Sequence, residues 1–296
     1  MKQYLRFITI LFSLASTQLG CAQNAPAETP LKSQTATGFT IPATPATLSF
    51  AGEKVPMEQW HVKEQFEREW LFIYYQQSSN LHIMRLASRY FPLIEEKLKA
   101  NGIPDDFKYL CIAESHLQNL ISKAGAVGFW QFMRATSPSY GIKVNTQIDE
   151  RYNVLKSTEA ACRYLKAAYN RFGNWTAAAA SYNCGMGGYG SYSSAQGTTN
   201  YYNLHLPEET NKYIYRILSF KYLLENASTF GYEIPAAQLY QPYSSKTVTV
   251  TQTVNWVNFA KSHGTTYRAL RILNPWIRSY SLTVSRGESY IVTLPQ

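Results

Sequence analysis

Between Met57 and Glu225, apolar positions recur every three to four residues, which is the spacing of one buried face of an α-helix. The longest runs with this spacing are MEQWHVKEQFEREWLFIYYQQ, NLHIMRLASRYFPLIEEKLKANG, STEAACRYLKAAYNRFG and EETNKYIYRILSFKYLLEN. Shorter helices are predicted from Pro104 onward, for GFWQFMRATSPSYG and for WTAAAASYNCG. No strand pattern occurs before residue 245, so this part of the chain is predicted to be all-α.

Proline, glycine and short polar residues predict where these helices begin and end. We expect Pro92 to interrupt the second long helix, Ser157 to cap the third and Gly173 to end it. The Ala-rich helix is expected to end at Gly185, and a loop rich in Gly, Ser and Tyr is expected to cover 185–203.

The pattern changes after residue 245. KTVTVTQTV alternates with the period of a strand, NWVNFAKSHG and TTYRALRILNP indicate two short helices, and GESYIVTLP indicates a closing strand. The sequence therefore predicts a small strand–helix–helix–strand module over 246–296, joined to the helical part by a linker over 233–245.

The first residues have the features of an export signal. Lys2 and Arg6 precede the apolar run FITILFSLAS, which is short for a membrane span, so residues 1–22 are interpreted as a signal peptide. QLGC places Cys21 where a bacterial lipoprotein is lipidated, and cleavage after Ala22 is the alternative. Residues 23–50, rich in Pro, Ala, Thr and Ser, are predicted to form a flexible linker. We expect an exported, periplasmic protein, anchored to the outer membrane if Cys21 carries lipid.

Composition and net charge indicate which kinds of molecule the protein could bind. The chain is 45% hydrophobic and 16% charged, as in globular proteins, and carries a formal net charge of +9. That charge favours an acidic partner such as nucleic acid, anionic lipid or a cell-wall polymer. No basic run or nucleic-acid motif occurs, so nucleic acid is not expected. Cys111, Cys162 and Cys184 fit no zinc-binding spacing, and neither a metal nor a cofactor is expected.

One acidic residue lies on an apolar helix face. Phe107, Leu110, Cys111 and Glu114 share one stripe of the helix that starts near Pro104. Loss of hydration disfavours a charged carboxylate and raises its pKa, and a protonated carboxyl near neutral pH is what general acid catalysis requires. A structural, salt-bridged glutamate at a helix end is the alternative for this fragment alone.

Four motifs occur in a characteristic order: AESHL at 113–117, AGAVGFWQFM at 124–133, AAASYNCGMGG at 178–188 and LPEETNKYI at 206–214. Their order and spacing resemble the catalytic domain of lytic transglycosylases, in particular the membrane-bound murein transglycosylase D type of the soluble-lytic-transglycosylase family. The resemblance covers about residues 95–230, and the 246–296 module resembles a LysM domain.

The resemblance implies a mainly α protein. A goose-type-lysozyme-like catalytic domain would occupy 51–232, and a βααβ LysM-like domain would follow over 246–296. It implies cleavage of peptidoglycan glycan strands at the β-1,4 bond between N-acetylmuramic acid and N-acetylglucosamine, without water, to give 1,6-anhydromuramic ends. In that family one glutamate acts first as the acid and then as the base.

The motifs carry specific residues over to this chain. Glu114 matches the catalytic acid, and the residues that match substrate-binding positions are Ser115, Gln131, Tyr182, Asn183, Glu209 and Tyr213. Cys184, Met186 and the TQTVN stretch of the module depart from the family pattern, which bears on fine specificity and on glycan binding by the module.

Two other functions are compatible with the same residues. A hydrolytic muramidase would need a second carboxylate to activate water, and Asp149, Glu150 or Glu208 are the candidates. A non-catalytic peptidoglycan-binding protein would use the LysM-like module and keep the helical part as a scaffold.

Overall fold

Residues 40–296 are described by a computed structural model, and helices dominate this part of the chain. The predicted signal peptide at 1–22, its Cys21 and most of the 23–50 linker lie outside the described residues. The helices are α1 (Trp60–Tyr74), α2 (Gln77–Ala100), α3 (Phe107–Ser115), α4 (Val154–Phe172), α5 (Trp175–Gln196), α6 (Glu208–Glu225), α7 (Trp256–Ser262) and α8 (Tyr267–Leu273). Within 40–296, no helix combines the length and apolar composition needed to cross a bilayer.

The strands form three short antiparallel pairs, of which two belong to the C-terminal module. The strands are β1 (Leu48–Phe50), β2 (Glu53–Val55), β3 (Ser245–Val250), β4 (Val254–Asn255), β5 (Ser281–Leu282) and β6 (Tyr290–Pro295). β1 pairs with β2, β3 with β6 and β4 with β5. The mainly α prediction is confirmed, as is the strand–helix–helix–strand order of the module, to which the structure adds the β4–β5 pair.

The β1–β2 hairpin corrects two expectations, namely a linker reaching residue 50 and a helical part without strands. Ala51 and Gly52 both have positive φ (53° and 81°), as a two-residue hairpin turn of the primed type requires. Phe50 is buried against Phe107, at 5.2 Å between ring centroids. The Ala51 N–H donates to the Asp106 carboxylate over 2.7 Å. Three-residue strands are too short to show a period in the sequence, and these long-range contacts hold them.

The structure differs from prediction at Pro92 of α2 and at the N-terminus of α4. α2 continues through Pro92 without a break, because Pro92 lies on the exposed face while Ile94 and Leu98 keep the opposite face buried. The N-cap of α4 is Asn153, whose side chain accepts hydrogen bonds from the first-turn amides, and not Ser157, which is buried one turn inside. The predicted end of α4 at Gly173 is confirmed.

The loop predicted over 185–203 is wrong for its first part. α5 extends to Gln196, and Gly185 (φ 77°, ψ 149°) forms a kink within it instead of ending it. A glycine tolerates this conformation without steric cost, so the chain changes direction and then resumes helical hydrogen bonding. Tyr189, in the second half of α5, is fully buried against Phe172.

The helix predicted for GFWQFMRATSPSYG is also wrong. Residues 125–132, which we call the 125–132 loop, are held by single β-bridges from Val127 to Ile121 and to Phe132. Gly128 and Gln131 both have positive φ (85° and 47°). A Cβ atom at Gly128 would overlap the carbonyl oxygen of Arg151. This tertiary contact, which the local sequence does not reveal, replaces helical structure here.

The main hydrophobic core lies between α1–α6 and the β1–β2 hairpin. α6 is central, because it packs against α1, α3 and α5. The largest fully buried side chains of this core are Trp70, Trp130, Tyr189, Tyr201, Tyr213, Phe50, Phe66, Phe107 and Phe220. α6 therefore fixes the ends of α3 and α5 relative to each other.

A second hydrophobic core joins the C-terminal module to the helical part. Module residues such as Trp256, Ile277 and Val292 share it with Ile148 and Tyr152 of the helical part. The core of the module is therefore shared and does not consist of residues 246–296 alone. The division into domains at 51–232 and 246–296 stays a prediction.

The predicted linker also contacts the helical part. Arg85 and Arg89 of α2 donate to the carbonyl oxygens of Gln238 and Gln241, over 2.7 and 2.9 Å. Residues Ile41–Gln296 accordingly form one compact unit.

Two glycines of the 125–132 loop provide a matched stability test. Gly125 and Gly128 have nearly the same φ (84° and 85°), but only Gly128 faces another backbone atom at close range. Gly125→Ala should lower the free energy of unfolding by about 1–2 kcal/mol through left-handed strain. Gly128→Ala should lower it by about 1–3 kcal/mol more through overlap with Arg151. Denaturant unfolding measures both, and equal losses would contradict the predicted contact.

Candidate active site

Glu114 lies at the end of α3, where α3 meets α6. Its side chain is half-buried, and its Oε1 atom accepts a hydrogen bond from the Tyr213 hydroxyl of α6. Tyr213 itself is only 2% exposed. The apolar stripe predicted for α3 is present, since Phe107, Leu110 and Cys111 are fully buried. Glu114 continues this stripe at the point where it reaches solvent.

The environment of Glu114 favours its protonated form near neutral pH. Burial raises the pKa of Glu114 to about 7, against the opposing effects of the Tyr213 hydrogen bond and the positive charge of Arg216. Arg216 is paired with Glu209 over 2.7 Å and with Glu69 over 3.4 Å, so much of its charge is compensated nearby. A carboxyl with a pKa near 7 can both give and take a proton at neutral pH.

The end of α3 is sharply defined. His116 and Leu117 both have left-handed backbone conformations (φ 52° and 57°), so the helix cannot continue beyond Ser115. Glu114 consequently lies beside the last carbonyl groups of α3, whose partial negative charge disfavours a carboxylate. The His116 ring packs on Phe220 at 5.6 Å, which anchors this turn on α6.

Ser115 and Tyr182 orient the 125–132 loop. The Ser115 hydroxyl donates to the Phe129 carbonyl over 2.8 Å, and the Tyr182 hydroxyl donates to the Trp130 carbonyl over 2.8 Å. Ser115 is only 2% exposed and its hydroxyl is engaged with the loop, so a substrate-binding role for it stays a prediction. Tyr182 is half-buried beside Glu114, and its hydroxyl is engaged with the loop.

Gln131 and Asn183 each have one polar atom of the side-chain amide without a hydrogen-bond partner among residues 40–296. The Gln131 amide nitrogen donates to Gly128 (2.8 Å) and Leu120 (3.2 Å), while its amide oxygen accepts no bond from residues 40–296. The Asn183 amide oxygen accepts from Thr210 (2.8 Å), and its amide nitrogen has no partner in the described chain. Both residues are half-buried, and each adjoins one partner of the Tyr182–Trp130 hydrogen bond. Their substrate-binding roles stay predictions.

Glu209 and Tyr213 lie on one face of α6 together with Arg216. Glu209 is exposed and paired with Arg216, whereas Tyr213 is buried and bonded to Glu114. The geometry thus makes Tyr213 a hydrogen-bond partner of Glu114. The motif had matched Tyr213 to a substrate-binding position, and the burial of the Tyr213 side chain does not fit direct contact with a substrate. Arg216 was missed by sequence reasoning, although its position seven residues after Glu209 and three after Tyr213 places it on the same helical face.

Among residues 40–296, no second carboxylate is hydrogen-bonded to Glu114, and Glu209, whose negative charge contributes to raising the pKa of Glu114, is paired with Arg216 over 2.7 Å. Both oxygens of Asp149 are bound by Arg151, over 3.0 and 2.7 Å, and Asp149 is buried. Glu150 is also buried and accepts the Lys143 N–H over 2.8 Å. Glu208 is exposed and forms an ion pair with Lys212. The three carboxylates named for a hydrolytic enzyme are therefore engaged elsewhere.

No group of three or more His, Cys, Asp or Glu side chains suited to a metal ion occurs between residues 40 and 296.

Two protein-family models match separate parts of the chain. Residues 92–205 match the family described as "Transglycosylase SLT domain", and residues 246–296 match "Soluble lytic transglycosylase C-terminal LysM-like domain". The chain therefore carries a lysozyme-like SLT transglycosylase domain followed by a LysM-like domain. This confirms the resemblance inferred from the four motifs.

Two curated relatives narrow the comparison. The proteins named "Membrane-bound lytic murein transglycosylase D" from Escherichia coli strain K12 and from Escherichia coli O6:H1 strain CFT073 are each 27% identical to this chain over 254 residues. Each alignment covers 82% of this chain and 54% of the relative, so the chain spans about half the length of these relatives.

The raised pKa of Glu114 predicts a pH-dependent stability. The shift from 4.5 to about 7 means that the folded state binds a proton more tightly than the unfolded state. The stabilisation that comes from protonated Glu114 is therefore fully present below the pKa of Glu114 in the unfolded chain. It is lost as pH rises toward 7, which lowers the free energy of unfolding by up to about 3 kcal/mol. Glu114→Gln should raise the melting temperature at about pH 8 and change it little at about pH 4. The exposed Glu233→Gln is the control, and a gain for Glu114→Gln that does not depend on pH would contradict the shift.

Proposed function

We propose that the protein is a peptidoglycan lytic transglycosylase. It cleaves the β-1,4 bond between N-acetylmuramic acid and N-acetylglucosamine and leaves a 1,6-anhydromuramic end. The observation that carries this proposal is a single half-buried carboxyl, Glu114, whose pKa is raised to about 7 and whose close polar partner is the Tyr213 hydroxyl. The SLT domain match and the two relatives support it.

The proposed reaction uses Glu114 twice. First, protonated Glu114 gives its proton to the glycosidic oxygen as the bond to the muramic C1 breaks, and N-acetylglucosamine leaves with a free 4-hydroxyl. The ionised Glu114 then accepts the proton of the muramic 6-hydroxyl as O6 bonds to C1. The proton returns to Glu114, and no water is consumed. Tyr213 stabilises the ionised form between the two steps through its hydrogen bond.

Intramolecular attack is favoured over hydrolysis in this site. Hydrolysing glycosidases generally use two carboxylates, and the candidates Asp149, Glu150 and Glu208 are engaged away from Glu114. A hydroxyl of the same sugar, held in line, competes with an effective molarity that reaches roughly 10⁵–10⁸ M.

Substrate recognition and location extend the proposal. The amide oxygen of Gln131 and the amide nitrogen of Asn183 supply an acceptor and a donor of the kind that N-acetyl groups and sugar hydroxyls require. The net charge of +9 suits a polymer whose stem peptides and lactyl groups carry carboxylates. We place the protein in the periplasm, exported by residues 1–22 and anchored to the outer membrane through Cys21. The LysM-like domain is proposed to contact the same glycan.

Replacing the acid tests the catalytic assignment. Glu114→Gln keeps the size and a hydrogen-bond acceptor for Tyr213 but cannot transfer a proton. Turnover of purified peptidoglycan should fall by about 10²–10⁴-fold or more, because one group serves both steps. Glu208→Gln, an exposed carboxylate on the same helix as Tyr213, is the matched control and should retain turnover. Near-normal activity of Glu114→Gln would refute the assignment.

The product tests the reaction type. Mass spectrometry of the released sugars should show 1,6-anhydromuramic ends, which are lighter by one water than hydrolytic ends. Borohydride should leave these ends unchanged, because they have no reducing carbon. Reducing muramic ends as the main product would instead identify a muramidase, and intact peptidoglycan would identify a binding protein.

A further inference from the structure

We propose that the C-terminal module is a fixed positioning element for the 125–132 loop. It acts on the loop through Asp149 and Arg151 and through the shared core, to which Val127 of the loop belongs. This rests on the proposed function, in which the loop forms part of the site around Glu114. A LysM-like module is otherwise expected to act as a tethered binding domain. The contacts described below form an unbroken series from the module to the acid.

The first step is a short β-type seat between the module and residues 147–149. Ile148 and Ile277 form an antiparallel bridge. The Asp149 N–H donates to the Trp276 carbonyl over 2.8 Å, and the Arg278 N–H donates to the Gln147 carbonyl over 2.8 Å. Backbone hydrogen bonds on both sides of one bridge fix the register of the module on the helical part.

Apolar and charged contacts surround this seat. Ile148 and Ile277 are fully buried in the core that the module shares with the helical part. The Arg278 guanidinium lies 4.5 Å from the centre of the Tyr152 ring. At the edge, Lys143 pairs with Glu288 over 2.8 Å. Burial on this scale keeps the seat closed, whereas a tethered domain would show an exposed connection.

The second step leads from the seat to the loop. Asp149, whose N–H is bound to the module, holds the Arg151 guanidinium with both carboxylate oxygens, over 3.0 and 2.7 Å. Arg151 is only 5% exposed and donates to the Phe132 carbonyl (3.1 Å) and the Gly125 carbonyl (3.3 Å). One side chain therefore spans both ends of the 125–132 loop. The Nε and Nη2 atoms hold Asp149 while Nη1 donates to both carbonyls, and the single ammonium nitrogen of a lysine cannot make both sets of contacts.

The third step leads from the loop to the acid. The Phe129 carbonyl accepts from Ser115, which follows Glu114 in α3, and the Trp130 carbonyl accepts from Tyr182. A shift of the 125–132 loop would thus move the end of α3 and the Gln131 side chain that the loop carries. Misplacement of catalytic groups by about 1 Å typically costs about 10²-fold in rate.

The direct variant is Arg151→Lys in the full-length protein. Lysine keeps the positive charge next to Asp149, but its one ammonium nitrogen cannot replace the three guanidinium nitrogens that hold Asp149 and the Gly125 and Phe132 carbonyls together. We expect kcat on soluble glycan strands to fall by about 10–100-fold, with KM within about twofold, at a temperature where circular dichroism shows a folded chain.

The module-side variant is Ile277→Ala, with Ile272→Ala as its matched control. Ile277 is fully buried at the seat, whereas Ile272, on α8 of the same module, is 53% exposed. Ile277→Ala should lower kcat on soluble strands by about tenfold, and Ile272→Ala should not. Combined with Arg151→Lys, Ile277→Ala should add little further loss, because both act along one series of contacts. The conservative Ile277→Val should retain most of the rate, and Arg151→Lys carries the test if Ile277→Ala does not fold.

Hydrogen exchange separates this proposal from the proposed function. Backbone amides of Val127 and Phe132, which bond to each other's carbonyls, should exchange faster in Ile277→Ala and unchanged in Ile272→Ala. This readout does not depend on activity, so it stands even if Glu114→Gln shows that the proposed reaction is wrong. Unchanged exchange in Ile277→Ala would overturn the proposal. Full kcat on soluble strands with weaker binding to insoluble sacculi would also overturn it, and would restore the tether.

Discussion

The hydrogen bond between Tyr213 and Glu114 is the interaction on which the site depends. A carboxyl withdrawn from water needs a polar partner in both of its protonation states, or its burial becomes too costly. Burial raises the pKa of the Tyr213 hydroxyl well above its ordinary value, so the hydroxyl stays protonated and keeps a proton to donate. Arg216 is the nearby cation, but Glu209 and Glu69 compensate it. The balance leaves Glu114 with a pKa near 7 and not at a fully ionised value.

This bond is possible only because three helix segments hold fixed positions. α6 supplies Tyr213, α3 ends one residue after Glu114, and Thr210 of α6 binds Asn183 of α5 over 2.8 Å. Two residues after Asn183, Gly185 turns the chain so that the rest of α5 packs elsewhere in the core. The Ala-rich start of α5 is fully buried, which small side chains permit at close helix approach. The packing of α3, α5 and α6 therefore brings the polar side chains of Glu114, Tyr213, Thr210 and Asn183 into one region.

The helical periodicity of the sequence was enough to predict α1, α4, α6 and the apolar stripe that leads to Glu114. It failed where distant contacts decide the conformation, as at Gly128 against Arg151 and in the hairpin that buries Phe50. Ser115 shows what the motif alone could not. Neighbouring residues in a helix point about 100° apart, so the residue next to Glu114 faces the core while Glu114 reaches solvent. Motif resemblance singled out Glu114, but helix geometry was needed to orient its neighbours.

The seat of the module bears on how a long polymer would be handled. A domain on a flexible linker raises the local concentration of substrate over a range of distances and imposes no register. A domain seated through Ile148 and Ile277 keeps every surface residue at a set distance from Glu114. If the module binds the glycan as proposed, the strand would reach Glu114 at a defined number of sugars from the point of attachment. Under the proposed function, fixed docking would therefore make the spacing of cuts depend on the fold, which a flexible tether would not.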